Sequence, residues 1–142
     1  MTTAIPPGVY MQTRRKAILC LCDDSAMLKV RRMLLEHVGF TVLPTSSVED
    51  AKSLVLNECP DMLLMDNSYP GIEQLAKQVK TICPEVITVV LSPYFGVRHD
   101  TGDAGIDRFV PKDDGPGVWI SQIEELFDKR ISDDHGKEVA EL

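Results

Sequence analysis

The chain has no apolar run long enough to span a lipid bilayer, which argues against a membrane protein. It also has no basic excess, because 22 acidic residues outnumber 15 lysines and arginines and give a formal net charge of −7. A protein that binds nucleic acid directly needs a basic face that displaces counterions from the phosphates, so we expect no direct nucleic-acid partner. Segment 1–16 lacks the apolar core of a signal peptide, and we therefore expect a cytoplasmic protein.

Four cysteines are present, but they form no CxxC pair of the kind that zinc sites usually show. Cys20 and Cys22 lie two residues apart in an apolar run, where one face of a strand would carry both. Cys59 and Cys83 each precede a proline at separate element junctions. A metal site or disulfides are the alternatives, but we expect reduced thiols that are buried or incidental, as in a cytoplasmic protein.

The composition that is present suits one globular domain. Hydrophobic residues make up 44% and charged residues 26% of the 142 positions, which are ordinary values for a folded protein. Residues 1–14 contain Pro-Pro-Gly without apolar periodicity and predict a flexible N-terminal segment. Residues 15–131 predict the folded domain, and the polar residues 132–142 predict a loose tail.

Apolar runs of strand length alternate five times with segments of helical periodicity. The strands are predicted at 16–21, 40–43, 61–65, 86–91 and 107–110. The first helix is predicted to begin after an N-cap at Ser25 and to turn inward a stripe of Met27, Val30, Leu34 and Val38. Such alternation predicts an α/β fold, doubly wound, with a parallel sheet and helices on both faces.

Polar residues follow the predicted strands, where this fold class places its sites. Asp23 and Asp24 end the first strand, Asp66 the third, Ser92 the fourth and Lys112 the fifth. Carboxylates that lie close together need a compensating cation, and Mg²⁺ prefers such oxygen ligands. An aspartate can act as a nucleophile toward phosphorus, with a lysine to balance charge. The set is therefore sufficient for phosphorylation of one aspartate.

The motifs AILCLCDDS, LLMDNSYP, VVLSP and DRFVPKDD, in this order, resemble the receiver domain of two-component response regulators, of the chemotaxis-regulator type. The resemblance covers roughly residues 16–130 and implies a flavodoxin-like strand order 2-1-3-4-5. It implies that Asp66 is the phospho-acceptor and that Mg²⁺ is the cofactor. The implied metal ligands are Asp23, Asp24, Asp66 and the backbone carbonyl of Ser68. Ser92 and Lys112 would contact the phosphoryl group, and Ser92 and Phe109 would act as the switch residues.

The implied function is a phosphorylation-dependent signalling switch. It would receive its phosphoryl group from a sensor histidine kinase or a phosphotransfer protein and pass its state to an unidentified downstream protein, and a homodimer is one option for its assembly. It would be no enzyme apart from promoting its own aspartyl phosphorylation and dephosphorylation.

Two departures from the family favour an alternative function. Pro93 stands where the family has a small residue whose N–H contacts the phosphoryl group, and proline has no N–H. Segment 94–105 contains three glycines, which predict that the helix before the fifth strand is short, irregular or absent. The alternative is a pseudo-receiver, a constitutive protein-interaction module that is not phosphorylated. An enzyme of another doubly wound family is disfavoured, because the first strand is not followed by a phosphate-binding glycine loop.

Simpler roles are open for several of these residues. Asp23 and Asp24 are also good helix caps, Ser92 before Pro93 also suits a turn, and Phe109 also suits a core position. A lysine such as Lys112 is usually solvated.

Overall fold

The computed structural model describes residues 16–67, 71–92, 105–112 and 115–141, with side chains up to Asp128. Five parallel strands form one sheet in the order β2-β1-β3-β4-β5, so the predicted fold class and strand order are confirmed. The strands are β1 Ala17–Leu21, β2 Thr41–Thr45, β3 Met62–Asp66, β4 Ile87–Ser92 and β5 Arg108–Pro111. The helices are α1 Ser25–His37, α2 Val48–Glu58, α3 Ile72–Ile82 and α4 Pro116–Glu141.

The strand sequences explain their order in the sheet. The central strands β1, β3 and β4 are almost continuously apolar and buried, as expected for strands covered by helices on both faces. The edge strands β2 and β5 contain Pro44 and Pro111. Proline cannot donate a backbone hydrogen bond, and edge positions tolerate that loss best.

Each face of the sheet carries its own hydrophobic core. One core lies between the sheet and helices α1 and α4, and includes the alternate β3 residues Met62 and Leu64. The other lies against α2 and α3 and includes Leu63 and Met65. Successive strand residues point to opposite faces, so position along a strand decides which pair of helices a side chain meets.

The inward face of α1 differs from the predicted stripe. Met27, Val30 and Val38 are more than 40% exposed, and only Leu34 of the predicted four packs against the core. The inward positions instead follow Leu28, Arg31 and Leu35. Both stripes have helical spacing, and the prediction was wrong because it chose the one without a charge.

The last helix extends beyond residue 131, where the folded domain was predicted to end. It continues to Glu141, so the segment predicted as a loose tail is helical in its backbone. The predictions for residues 1–14 and for the helix between the fourth and fifth strands lie outside the described residues. Within the described part of the chain, no helix combines the length and the apolarity needed to cross a membrane.

Cys59 and Cys83 are joined by a disulfide, which corrects the prediction of reduced thiols at these positions. Cys59 caps α2 and Cys83 caps α3, and the two helices lie side by side on the same sheet face. The pairing is tertiary, across 24 residues of sequence, so no local cysteine spacing announces it. Cys20 and Cys22 are free and buried, in agreement with the prediction for them.

A polar network lies at the end of the sheet where the strands begin, which is also the end where the disulfide lies. The Lys80 ammonium donates to Asp107 Oδ2 at 2.6 Å and to the Val86 carbonyl at 2.6 Å. Asp107 Oδ2 also accepts from the Thr88 backbone N–H at 2.8 Å. The buried Thr88 hydroxyl donates to the Gly105 carbonyl and accepts from the Asp107 backbone N–H at 3.0 Å. The network connects α3, β4 and the start of β5.

Candidate functional site

Asp66 is the last residue of the central strand β3 and lies at the carboxyl edge of the sheet. Strand alternation continues past Leu64 and turns its side chain toward α1 and α4. The residue is 4% exposed. A carboxylate removed from water this far needs compensating partners, and two cations supply them here.

Arg31 is the first of these cations, and it was not among the site residues predicted from the sequence. Its Nη2 donates to Asp66 Oδ2 at 2.9 Å, and both side chains are 5% exposed. Arg31 lies one helical turn before Leu35 on the inward face of α1, which brings its guanidinium above the end of β3. The available signal was the spacing of Leu28, Arg31 and Leu35, an inward stripe with an arginine in it.

Lys112 is the second cation. It follows β5, and its ammonium lies 3.2 Å from each carboxylate oxygen of Asp66. Its backbone N–H donates to the Ser92 carbonyl at 2.8 Å, which fixes the residue after β5 against the end of β4. The structure therefore brings together Lys112 and Asp66, as predicted from the strand ends.

Ser92 ends β4 next to the end of β3, since the register pairs Asp66 with the preceding Leu91. Ser92 is 3% exposed, and its Oγ has no hydrogen-bond partner within the described ranges. A buried hydroxyl without a partner costs about 1–3 kcal/mol, so native proteins seldom keep one without a reason. Ser92 ends the strand next to β3 at the carboxyl edge of the sheet, so its unpartnered hydroxyl is available at that edge for an incoming oxygen ligand.

Asp23 and Asp24 are both exposed. Asp24, not Ser25, is the N-cap of α1, and its Oδ1 accepts from the N–H groups of Ala26 and Met27 at 3.0 and 3.2 Å. The capping role that the sequence left open for Asp24 is therefore present. Ser68, the fourth member of the predicted ligand set, lies outside the described residues.

The described residues do not fit a magnesium ion. They contain no group of three or more His, Cys, Asp or Glu side chains placed to hold a metal. Asp66 is engaged by a guanidinium and an ammonium, and Asp24 by two helix N–H groups. The predicted metal ligands are thus not assembled in this part of the chain.

Phe109 lies in β5 opposite Val90 and is half-buried against the α2/α3 core. The site residues Asp66 and Arg31 face the other side of the sheet. The structure places Phe109 in the strand predicted for it, and its switch role stays a prediction.

A cavity of about 260 Å³ opens beside the site, between α1 and α4. Both cations of Asp66 line it, together with an otherwise apolar wall of Met27, Val30, Leu34, Pro116 and Trp119. Trp119 is the only tryptophan in the chain. Its fluorescence is therefore a direct reporter on this cavity.

Cys20 lies in β1 on the same sheet face as Arg31 and Asp66. Burial raises the pKa of the Cys20 thiol to about 12, while the nearby Arg31 charge opposes that rise. The thiol therefore stays protonated at neutral pH, so Cys20 acts as a buried apolar side chain on this face of the sheet and not as a nucleophile.

The sheet order is that of flavodoxin-like doubly wound domains, and a buried aspartate ends its central strand. Solved structures share this fold. A CheY-like receiver domain from Methanospirillum hungatei superposes with a TM-score of 0.74 at 22% identity, covering 84% of this chain and 99% of that one. The chemotaxis protein CheY4 from Vibrio cholerae gives a TM-score of 0.71 at 13% identity, covering 79% of this chain and 98% of its own.

Sequence comparison finds response regulators among the similar proteins. The response regulator MprA of Mycobacterium leprae is 25% identical over 127 residues, which are 87% of this chain and 56% of that protein. The hydrogenase transcriptional regulatory protein HoxA of Cupriavidus necator is 25% identical over 123 residues, which are 83% of this chain and 25% of HoxA. The chain thus spans about half or less of these relatives. No family model matches it.

Together the similarities confirm the resemblance predicted from the sequence, because this chain is similar to receiver domains and response regulators.

Proposed function

We propose that this chain is a phosphorylation-dependent switch that accepts a phosphoryl group on Asp66 from a histidine kinase or phosphotransfer protein in the cytoplasm. One observation carries the proposal. The buried Ser92 hydroxyl lacks a partner among the described residues, and Ser92 ends β4, the strand beside the one that ends in Asp66. Lys112, tied to Ser92 through its backbone, supplies the neighbouring positive charge.

The transfer needs few protein groups. An Asp66 carboxylate oxygen attacks the phosphorus of a phosphohistidine, a new O–P bond forms and the N–P bond breaks. The histidine nitrogen keeps the electron pair and takes up a proton from solvent. Such transfers depend mainly on positioning and charge stabilisation, which two cations and one hydroxyl can supply.

The surface beside the site supports a protein as the phosphoryl donor. Met27 and Val30 are 43% and 49% exposed on α1 and line the cavity that Arg31 and Lys112 also reach. Exposed apolar side chains next to a reactive group favour docking of an apolar partner surface. The exposed Met33 extends the same side of α1 toward a partner.

Intact-mass analysis after incubation with acetyl phosphate tests the proposal. We expect one added phosphate on the wild-type chain and none on Asp66→Asn, and hydroxylamine should remove it because acyl phosphates are labile to this nucleophile. Ser92→Ala should slow the uptake. Each reaction is run with Mg²⁺ and with a chelator, so that a metal requirement cannot hide the modification.

A pseudo-receiver is the second candidate, and the buried ion pair of Arg31 with Asp66 favours it, because the pair neutralises the acceptor carboxylate in the resting protein. In that case no donor would phosphorylate the wild-type chain in either buffer. Binding of a partner would then be the same for wild type and Asp66→Asn.

A further inference from the structure

Asp66 already has a protein cation in direct contact on the α1 side. Arg31 is 4% exposed, and its guanidinium lies 2.9 Å from Asp66 Oδ2. Arginine cannot lose its proton in a protein, so this charge is permanent. Its neighbour Arg32 pairs with Glu36 on the same helix, with side chains 51% and 43% exposed, and shows what an ordinary surface pair looks like here.

The charges around Asp66 leave little attraction for a metal ion. One carboxylate faces the guanidinium of Arg31 and the ammonium of Lys112, so the three side chains sum to one positive charge. A divalent ion that approached Asp66 would meet two like charges or would have to displace the guanidinium from a buried pair. Either route opposes metal binding.

A second predicted metal ligand, Asp24, is also committed elsewhere. The Asp24 carboxylate accepts two backbone hydrogen bonds at the start of α1. Turning it toward Asp66 would leave the first N–H groups of the helix without this cap. Helix α1 therefore contributes the Arg31 cation to the site. The Asp24 carboxylate, which would attract a metal ion, stays hydrogen-bonded at the start of the same helix.

We propose that Arg31 is the resident counter-ion of Asp66 and takes the charge-balancing place of a divalent cation, so that Arg31 and Mg²⁺ compete for this carboxylate. The inference rests on the proposed function of Asp66 as acceptor. A guanidinium has five N–H donors in one plane, so it can hold a carboxylate oxygen and a phosphoryl oxygen together. Arg31 is a positioning residue before transfer and a phosphoryl contact after it.

Metal binding is measured first, because it does not require phosphorylation. Trp119 fluorescence and calorimetry follow Mg²⁺ titration of wild type, Arg31→Met, Arg31→Lys and the matched surface control Arg32→Met. We expect the Kd of Arg31→Met for Mg²⁺ to be at least about tenfold lower than that of wild type. Arg31→Lys keeps the charge and should stay near wild type, as should Arg32→Met.

Phosphoryl uptake is measured second, by intact mass with acetyl phosphate and a chelator. Wild type should take up phosphate with or without Mg²⁺, whereas Arg31→Met should require the metal. Should Arg31→Met fail to fold by circular dichroism, Arg31→Gln and the wild-type titration carry the same comparison. Wild type that binds Mg²⁺ as tightly as the folded neutral variant, or that takes up phosphate only with Mg²⁺, overturns the proposal.

The two proposals fail in different ways. If no variant takes up phosphate but the neutral variants gain Mg²⁺ affinity, Arg31 is still the counter-ion and the acceptor role of Asp66 is wrong. If wild type is phosphorylated but needs Mg²⁺, the acceptor role stands and the counter-ion proposal is wrong.

Discussion

The two ends of the sheet treat the same kind of side chain in opposite ways. Thr88 and Ser92 are buried hydroxyl residues four positions apart on β4, so they point to the same face. At the end where the strands begin, Thr88 both donates and accepts within the network of Asp107. At the end where they finish, Ser92 Oγ has no partner in the described part of the chain. One end satisfies its buried hydroxyl with protein partners, and the other leaves a buried hydroxyl without one among the described residues.

The aspartates of the two ends differ in the same sense. Asp107 is 42% exposed in its side chain and takes backbone and lysine donors, so water shares its charge. Asp66 is 5% exposed in its side chain and lies against two cations. A partly exposed ion pair contributes little to the free energy of unfolding. Removing one partner of a buried pair is strongly destabilising, because it leaves the other charge buried and unpaired.

The largest expected effect concerns the disulfide at the end of the sheet where the strands begin. Replacing Cys59 and Cys83 together by serine should lower the free energy of unfolding by about 2–4 kcal/mol relative to the oxidised protein, because the open chain gains conformational entropy when unfolded. Urea unfolding followed by Trp119 fluorescence measures this. Reductant should lower the free energy of unfolding of wild type to that of the variant and leave the variant unchanged. If reductant does not change wild type, the disulfide does not stabilise this end of the sheet.

Thr88→Val should have the next largest effect. Valine keeps the shape but leaves the Gly105 carbonyl and the Asp107 N–H without the hydroxyl, at a cost of about 1–3 kcal/mol. The same unfolding experiment measures it, with phosphoryl uptake as a second readout that should change little. A loss of uptake without a loss of stability would reverse the roles given to the two ends.

Ser92→Ala should affect stability least among the hydroxyl substitutions. Removing a buried hydroxyl that has no partner within the described ranges should leave stability unchanged or raise it by up to about 1 kcal/mol. Phosphoryl uptake should nevertheless slow. A clear destabilisation would mean that Ser92 has a structural role like that of Thr88.

Cys20 should react far more slowly with an alkylating reagent than an ordinary thiol does. Its pKa of about 12 leaves only a trace of thiolate at a pH of about 8 to 9, where a model thiol is substantially ionised, so native Cys20 should be labelled much more slowly than the model thiol at either pH. For an acid whose pKa is raised by folding, the stabilising contribution is present below the unfolded pKa near 9 and is lost as pH rises toward 12. Mass spectrometry after iodoacetamide treatment measures the labelling, and rapid modification of Cys20 in the native protein would contradict its burial.

The fold could be predicted from the sequence because apolar runs and strand-end residues are local signals. β1, β3 and β4 are nearly pure apolar runs, and Asp66 and Lys112 follow strands directly, so parallel pairing alone brings them together. Arg31 could not be found in this way. Its importance depends on which of two helical stripes of α1 turns inward, and tertiary packing decides that.

The disulfide shows a second limit of the same kind. Cys59 and Cys83 end two different helices, and only the packing of α2 beside α3 brings them together. The metal ligands show a third, since an aspartate after a strand can face the site or cap the next helix. Asp24 does the latter, since its Oδ1 accepts from the first N–H groups of α1, those of Ala26 and Met27.

The prolines in the outer strands limit how this chain can build larger assemblies. Pro44 lies in β2 and Pro111 in β5, the two borders of the sheet. A strand from another molecule that aligned with either border would meet a residue with no N–H to offer, and such borders resist growth by strand addition. Complexes of this chain with other proteins are therefore expected to form through helical surfaces, which can associate and separate without adding strands to the sheet.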